Sequence, residues 1–220
     1  MGNTMKKYDA IVFDFDGVIV ESVDVKTRAF AALYKEYGEQ IVKQVENYHL
    51  LNNGISRFEK FRYYHESLLG KTLTKEEEIQ LGDRFSQYVE SAVIASPYVL
   101  GADDFLEKYY QSIPLFVASD TPDEELKRIV SFRNMNHYFV SVHGSPTKKS
   151  AIIQKILTNH GFNPDRVLMV GDAIADYEGA IGAGVKFIGR VLQYPQTYPF
   201  SIETVVLPDL TQLETAISGA

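Results

Sequence analysis

At 220 residues the chain is long enough for one large domain, or for a core with a smaller insertion, and a net charge of −7 with a pI near 5.3 argues against nucleic acid or anionic membrane as partners. Cysteine is absent, which excludes a disulfide framework, a thiolate zinc site and a thiol nucleophile. Met1 to Tyr8 is polar, the apolar run after it is too short for a signal peptide, and no apolar stretch could span a bilayer, so a cytoplasmic protein is expected.

The apolar run Ala10–Phe13 reads as a buried parallel strand. It ends in two carboxylates spaced two apart, Asp14 and Asp16, followed by Gly17, where the chain can turn. Ligands of open α/β sheets bind just outside the carboxyl ends of the strands. Two aspartates there can hold a hard divalent cation and still leave one carboxylate free to attack.

A long helical region follows. Val25, Ala29, Phe30, Leu33 and Tyr37 are spaced for a helix over Ser22–Tyr37, which stops at Gly38. A second helix covers about Ile41–Leu50, with a turn at Asn52-Asn53-Gly54. Ser56 and Glu59 read as a capping box for a third, running to Leu69-Gly70, and Thr74 and Glu77 as another for a fourth, ending before Pro97. Since no strand signal lies between Val20 and Pro97, residues 21–97 are expected to form an all-helical cap inserted into a core made of 1–20 and 98–220.

From Ile113 onward strands and helices alternate, the signature of a parallel sheet with helices on its faces. Leu115–Ala118 is a buried strand, and Thr121-Pro122 reads as the N-cap and first residue of the next helix. Tyr138–Val142 reads as a short strand, Ser150–His160 as a helix ended by Gly161, and Arg166–Val170 as a buried strand. A small-residue helix over Ala173–Ala183 and strands at Lys186–Gly189 and Val205–Leu207 complete the pattern. The fold class is therefore α/β, a Rossmann-like parallel core with an inserted helical cap.

Three further signals sit at strand ends. Ser119 follows the second core strand, where its hydroxyl and nearby amides could hold a phosphate oxygen. Lys148 and Lys149 stand at the start of a helix, where a cation is disfavoured by about 0.3–1 kcal/mol unless something anionic is near. Of the two, Lys149 is preferred because it lies three residues before the apolar pair Ile152-Ile153. Asp172 and Asp176, four apart after a buried strand, would share one face of the next helix and complete with Asp14 the oxygen shell that Mg²⁺ requires.

Asp14-x-Asp16-Gly17-Val18, Ser119, Lys149 and Gly171-Asp172-x-x-x-Asp176 resemble, in order and spacing, the four motifs of the haloacid dehalogenase-like hydrolase superfamily. The helical insertion after the first motif is similar to its helical-cap subgroup, the phosphoglycolate phosphatase and β-phosphoglucomutase type. The resemblance implies a phosphatase in which Asp14 is the nucleophile, Asp16 the general acid and then base, and Ser119 and Lys149 the ligands of the phosphoryl oxygens. It implies Mg²⁺ held by Asp14, the Asp16 carbonyl and Asp172, with Asp176 direct, water-mediated or supporting. Gly54-Ile55-Ser56-Arg57 is similar to a cap segment of β-phosphoglucomutases, which makes Arg57 a candidate for substrate specificity.

The pattern also departs from the mutases, since Lys26 stands where those enzymes carry a cap-side histidine. Asp16 disfavours phosphonatases and haloacid dehalogenases. The expected partner is a small phosphorylated metabolite, handled by a monomer or homodimer. A hexose-phosphate mutase and a non-catalytic phosphate-binding module are the alternatives.

Overall fold

The computed structural model describes residues 8–52, 55–192, 200–201 and 203–218. Strand β1 (Ala10–Phe13) is followed by four helices, α1 (Val23–Tyr34), α2 (Glu39–Leu51), α3 (Arg57–Tyr63) and α4 (Lys75–Ala95). Then come α5 (Ala102–Tyr109), β2 (Leu115–Pro122), α6 (Asp123–Phe132), β3 (Ser141–Ser145), α7 (Lys149–His160) and β4 (Val167–Gly171). The chain continues through α8 (Ile174–Ala183), β5 (Lys186–Arg190), β6 (Val205–Leu207) and α9 (Leu213–Ser218).

The strands form one six-stranded sheet in the order β3-β2-β1-β4-β5-β6, parallel throughout. β1 is central, with Ile11 opposite Leu115 on one side and Leu168 on the other. The chain runs outward to β2 and β3 and returns on the far side of β1 as β4, so the strand order reverses between β1 and β4. That reversal opens a crevice at the carboxyl ends of those two strands.

Alternation along the strands divides the core. Ala10, Val12, Phe116, Ala118, Val167 and Met169 face one layer, packed on Ile152, Ile153, Ile156 and Leu157 of α7 and Ala180 and Ala183 of α8. Ile11, Phe13, Leu115, Val117, Leu168 and Val170 face the other, against α5, α6, α9 and the helical insertion.

Within the insertion, Phe30 is the hub: its ring lies 4.3 Å from Phe85, 4.9 Å from His49, 5.6 Å from Tyr64 and 5.8 Å from Phe61, centroid to centroid. Full burial of such a ring contributes about 1.5–3 kcal/mol. Helix α6 ties the insertion to the sheet, through Arg57–Glu125, Arg128–Glu90 and the bonds of Arg133 to the Val93, Ile94 and Ser96 carbonyls. No described helix is long and apolar enough to cross a membrane.

Most expected elements are present, with instructive differences. Thr74 and Glu77 close a full capping box, whereas the Ser56 hydroxyl accepts from Phe58 N and Glu59 does not reach back. Asn53 and Gly54 of the expected turn, and most of the polar start, lie outside the described residues. The strand expected at Tyr138–Val142 begins at Ser141; Tyr138 ends a 3₁₀ turn and gives its hydroxyl to Glu107.

Thr121 does not cap a helix. It continues β2, and α6 begins at Asp123 without a side-chain cap. The Thr121 hydroxyl is taken by Asp16, a partner 105 positions away in sequence. Helices α5 and α9, neither read from the sequence, cover the sheet face opposite α7 and α8.

Candidate active site

Asp14 leaves the end of β1 with its amide donated to the Val170 carbonyl of β4, which fixes it at the crevice. Its carboxylate accepts from Phe15 N at 2.7 Å and lies 3.1 Å from Lys149 Nζ. Gly17, at φ +76°, turns the chain back over the site; a Cβ there would stand 2.2 Å from an Asp172 carboxylate oxygen. Glycine is required both for the turn and for that approach. Arg190, from the end of β5, clamps this turn by donating to the Gly17 carbonyl at 2.7 Å and pairing with Glu21.

β4 supplies the other acids. Asp172 precedes α8, so the pair does not share a helix face as expected; Asp176, in the first turn of α8, folds back instead. Its carboxylate accepts from Asp172 N at 3.2 Å and Ala173 N at 3.0 Å. One carboxylate oxygen each from Asp14, Asp172 and Asp176 falls within 4.8 Å of the others.

This crowding is electrostatically unfavourable for the acids alone. Burial, then the neighbouring Asp176, push the Asp14 carboxyl well above the usual carboxylate range despite the opposing pull of Lys149. Burial and Asp176 likewise raise Asp172 to about 7, and burial raises Asp176. Three oxygen donors that repel one another in a buried pocket are the donor set of a hard divalent cation, which would reverse those shifts. The residues fit Mg²⁺.

Lys149 is the fixed positive charge of the site. It is buried at the start of α7, hydrogen-bonded to Asp176, with Asp120 at 2.9 Å as an ionic contact. Burial alone would depress its pKa, but Asp14, Asp176 and Asp120 hold it well above the ordinary lysine value. Lys148 is exposed. Ser119 is buried and uses its oxygen to accept from Thr121 N at 3.2 Å, which leaves the hydroxyl proton to be donated.

Asp16 is held by a different set of partners. Its carboxylate accepts from Ser22 and Thr121, the latter at 2.8 Å, and is paired with Lys26, which also donates to the Thr121 hydroxyl at 3.0 Å. Burial opposes ionisation, yet Lys26 and the two hydroxyls outweigh it and hold the Asp16 pKa below the usual value. Asp14, Asp16, Lys26, Ser119, Asp120 and Asp172 thus face a common cavity of about 20 Å³, room for a single water.

Arg57 is not in that cavity. It lines an adjoining one of about 30 Å³, buried under the Phe85 ring, with both terminal nitrogens engaged by Glu125 and Ser86. The expected specificity residue is thus already bound to the core.

Sequence reasoning missed Thr121, Asp120, Ser22 and the pair His49–Lys60. Ser119 and Thr121 are both buried on one face of a strand, and that period of two was the available signal. Lys26 was noticed only as a departure from a family pattern; its salt bridge to Asp16 gives it a place in the site.

Residues 11–190 match the family described as haloacid dehalogenase-like hydrolase. A phosphoglycolate phosphatase of Aliivibrio fischeri is 25% identical over 201 residues, 87% of this chain and 87% of that protein. The crystal structure of a predicted phosphoglycolate phosphatase from Haemophilus somnus superposes with a TM-score of 0.77 at 20% identity, covering 96% of this chain and 99% of that one. A Bacillus subtilis haloacid dehalogenase-type hydrolase, crystallised bound to magnesium, superposes with a TM-score of 0.72 at 15% identity, covering 96% and 99%. The chain belongs to the haloacid dehalogenase-like hydrolase family and is an enzyme of its phosphatase kind.

Proposed function

We propose that the protein is a Mg²⁺-dependent phosphatase that hydrolyses a small-metabolite phosphomonoester through an aspartyl phosphate on Asp14. The observation that carries this reading is the meeting of Asp14, Asp172 and Asp176 from two adjacent strand ends, with Lys149 against the same acids.

Asp14 attacks phosphorus and the bond to the leaving oxygen breaks, while Ser119 and Lys149 bind the phosphoryl oxygens that travel with phosphorus. Mg²⁺, held by Asp14, Asp172, the Asp16 carbonyl and, directly or through water, Asp176, would neutralise the charge between nucleophile and phosphoryl group. Asp16 protonates the leaving oxygen and then takes a proton from the water that attacks the aspartyl phosphate. Its ionised state, held by Lys26, Ser22 and Thr121, suits the second of these tasks. The first requires that hold to loosen when an ester enters.

In this reading residues 21–97 form the cap, which closes over the catalytic core of 1–20 and 98–220 and excludes water. The two small cavities correspond to a closed arrangement, so substrate enters when the cap moves away. The magnesium-bound neighbour and the phosphatase names of the relatives support the reading. A cytoplasmic monomer or homodimer acting on a small phosphorylated metabolite is part of it.

A hexose-phosphate mutase is less well supported, because Arg57, the candidate for a distal phosphate, is bound by Glu125. The test is phosphate release with Mg²⁺ across sugar phosphates, nucleotides and short phosphorylated acids, a hexose 1-phosphate included. Free phosphate supports a phosphatase, a 6-phosphate product the mutase, and no turnover of any ester a non-catalytic module.

A further inference from the structure

The two cavities adjoin, and Lys26, His49, Asp120 and Thr121 stand on the walls of both. In the phosphatase reading, phosphorus sits in the first, against Asp14, and the carbon part of the leaving group extends into the second. The atom that crosses from one to the other is the oxygen that joins them, so these four side chains surround it. The first cavity, about 20 Å³, admits little more than a single water, and an atom placed there touches its walls.

Three of the four already serve one another or Lys149. Lys26 donates to Asp16 and to Thr121, the Thr121 hydroxyl is given to Asp16, and Asp120 is an ionic contact of Lys149. His49, on α2 and 2% exposed, differs in that only one of its ring nitrogens is committed. Nδ1 lies 2.8 Å from the Lys60 ammonium and accepts from it, so the ring proton is on Nε2. Burial, then Lys60 and Lys26, drive the His49 pKa down to about 2, which keeps the ring neutral with that single proton.

Nε2 is buried and has no hydrogen-bond partner within bonding distance among the described residues. The Val23 carbonyl of α1, which pulls weakly on the ring, already accepts from the Thr27 hydroxyl at 3.0 Å. A buried N–H left without an acceptor is costly, and folded proteins hold few of them. Here it lies on the wall where a bound ester would bring an oxygen.

We propose that His49 is a catalytic residue of this enzyme, its Nε2–H donating a hydrogen bond to the leaving oxygen as the bond to phosphorus breaks. This rests on the phosphatase reading above and adds a residue that it does not use. The electron pair of the broken bond stays on the oxygen. Asp16 supplies the proton that the released alcohol carries away, and His49 keeps its own. A donor held in place where negative charge develops lowers the barrier without having to turn toward it during the reaction. Lys60 and the Phe30 ring, 4.9 Å away centre to centre, hold the imidazole so.

The test compares ethyl phosphate, whose alkoxide is a poor leaving group, with 4-nitrophenyl phosphate, whose phenolate leaves unaided. His49→Asn sets an amide near the place of Nδ1, where Lys60 keeps an acceptor, and nothing at Nε2; His49→Gln does the opposite. His49→Asn should lower the ratio of kcat/KM for ethyl phosphate to that for 4-nitrophenyl phosphate about ten- to a hundredfold, and His49→Gln should restore part of it. Taking the ratio within one protein cancels any loss of folded enzyme. A role of His49 only in seating Lys60 predicts the reverse order. A ratio unchanged in His49→Asn, or lower in His49→Gln than in His49→Asn, overturns the proposal and leaves the phosphatase reading intact. In the unmodified enzyme, ¹⁵N NMR of the imidazoles should find the His49 proton on Nε2, and a proton on Nδ1 instead overturns the proposal by itself. No hydrolysis of either ester by the unmodified enzyme overturns both.

Discussion

Arg57 and Glu125, 68 positions apart, meet in a two-pronged ion pair, with Nη2 2.6 Å from Oε1 and Nη1 2.9 Å from Oε2. The pair is buried, and Ser86 donates to the same carboxylate at 2.6 Å. It joins α3 to α6 beside the cavity that Arg57 lines, so in the proposed reading, with residues 21–97 as a cap, it is the latch of the closed form. Burial opposes ionisation of Glu125, but the bonds from Arg57 and Ser86 hold its carboxyl below the value of 4.5.

Glu125→Gln should therefore destabilise the fold by about 3–5 kcal/mol at neutral pH, because Arg57 is left buried without a counter-charge. Since the folded-state pKa of Glu125 is depressed, its contribution is present above about pH 4.5 and is lost as pH falls through the folded value. The gap in melting temperature between the two proteins should narrow in acid. A gap independent of pH would mean that the ion pair does not stabilise the closed form.

Asp14→Asn should reduce turnover by on the order of 10⁴-fold or more, while leaving melting temperature unchanged or higher. Burial and the neighbouring Asp176 hold that carboxyl well above the usual range, so the fold loses repulsion along with the nucleophile. Normal turnover in this variant would eliminate Asp14 as the attacking group.

Adding Mg²⁺ should raise the melting temperature, since a ligand at a hundred times its Kd stabilises by about 2.7 kcal/mol. Asp172→Asn should lose most of that shift, whereas the exposed Lys148→Ala should keep it. Equal shifts in all three proteins would place the ion elsewhere.

Lys26→Met removes a charge-assisted bond to Asp16 and should lower turnover about ten- to a hundredfold. Unchanged kinetics would show that Ser22 and Thr121 suffice to set the state of Asp16.

The parts of this site that could be read in the sequence are those written locally. Asp14, Ser119 and Asp172 each follow a run of apolar residues that can only be a buried strand, and Thr74 and Glu77 announce a helix within four positions. Helices α5 and α9, eight and six residues long, escaped notice for want of length. Thr121-Pro122-Asp123 satisfies the chemistry of a helix start, and only contact with Asp16 shows otherwise. Arg57, Lys60 and His49 have meanings set by partners on other elements, and spacing alone cannot pair them.

The most direct test of the central mechanism is the fate of configuration at phosphorus, using a phosphorothioate ester made chiral there by two oxygen isotopes and hydrolysed in water of the third, so that the thiophosphate released is itself chiral. Capture by Asp14 followed by attack of water makes two in-line displacements, so retention is the expected result. Inversion would mean a single displacement by water, with no aspartyl phosphate on the path.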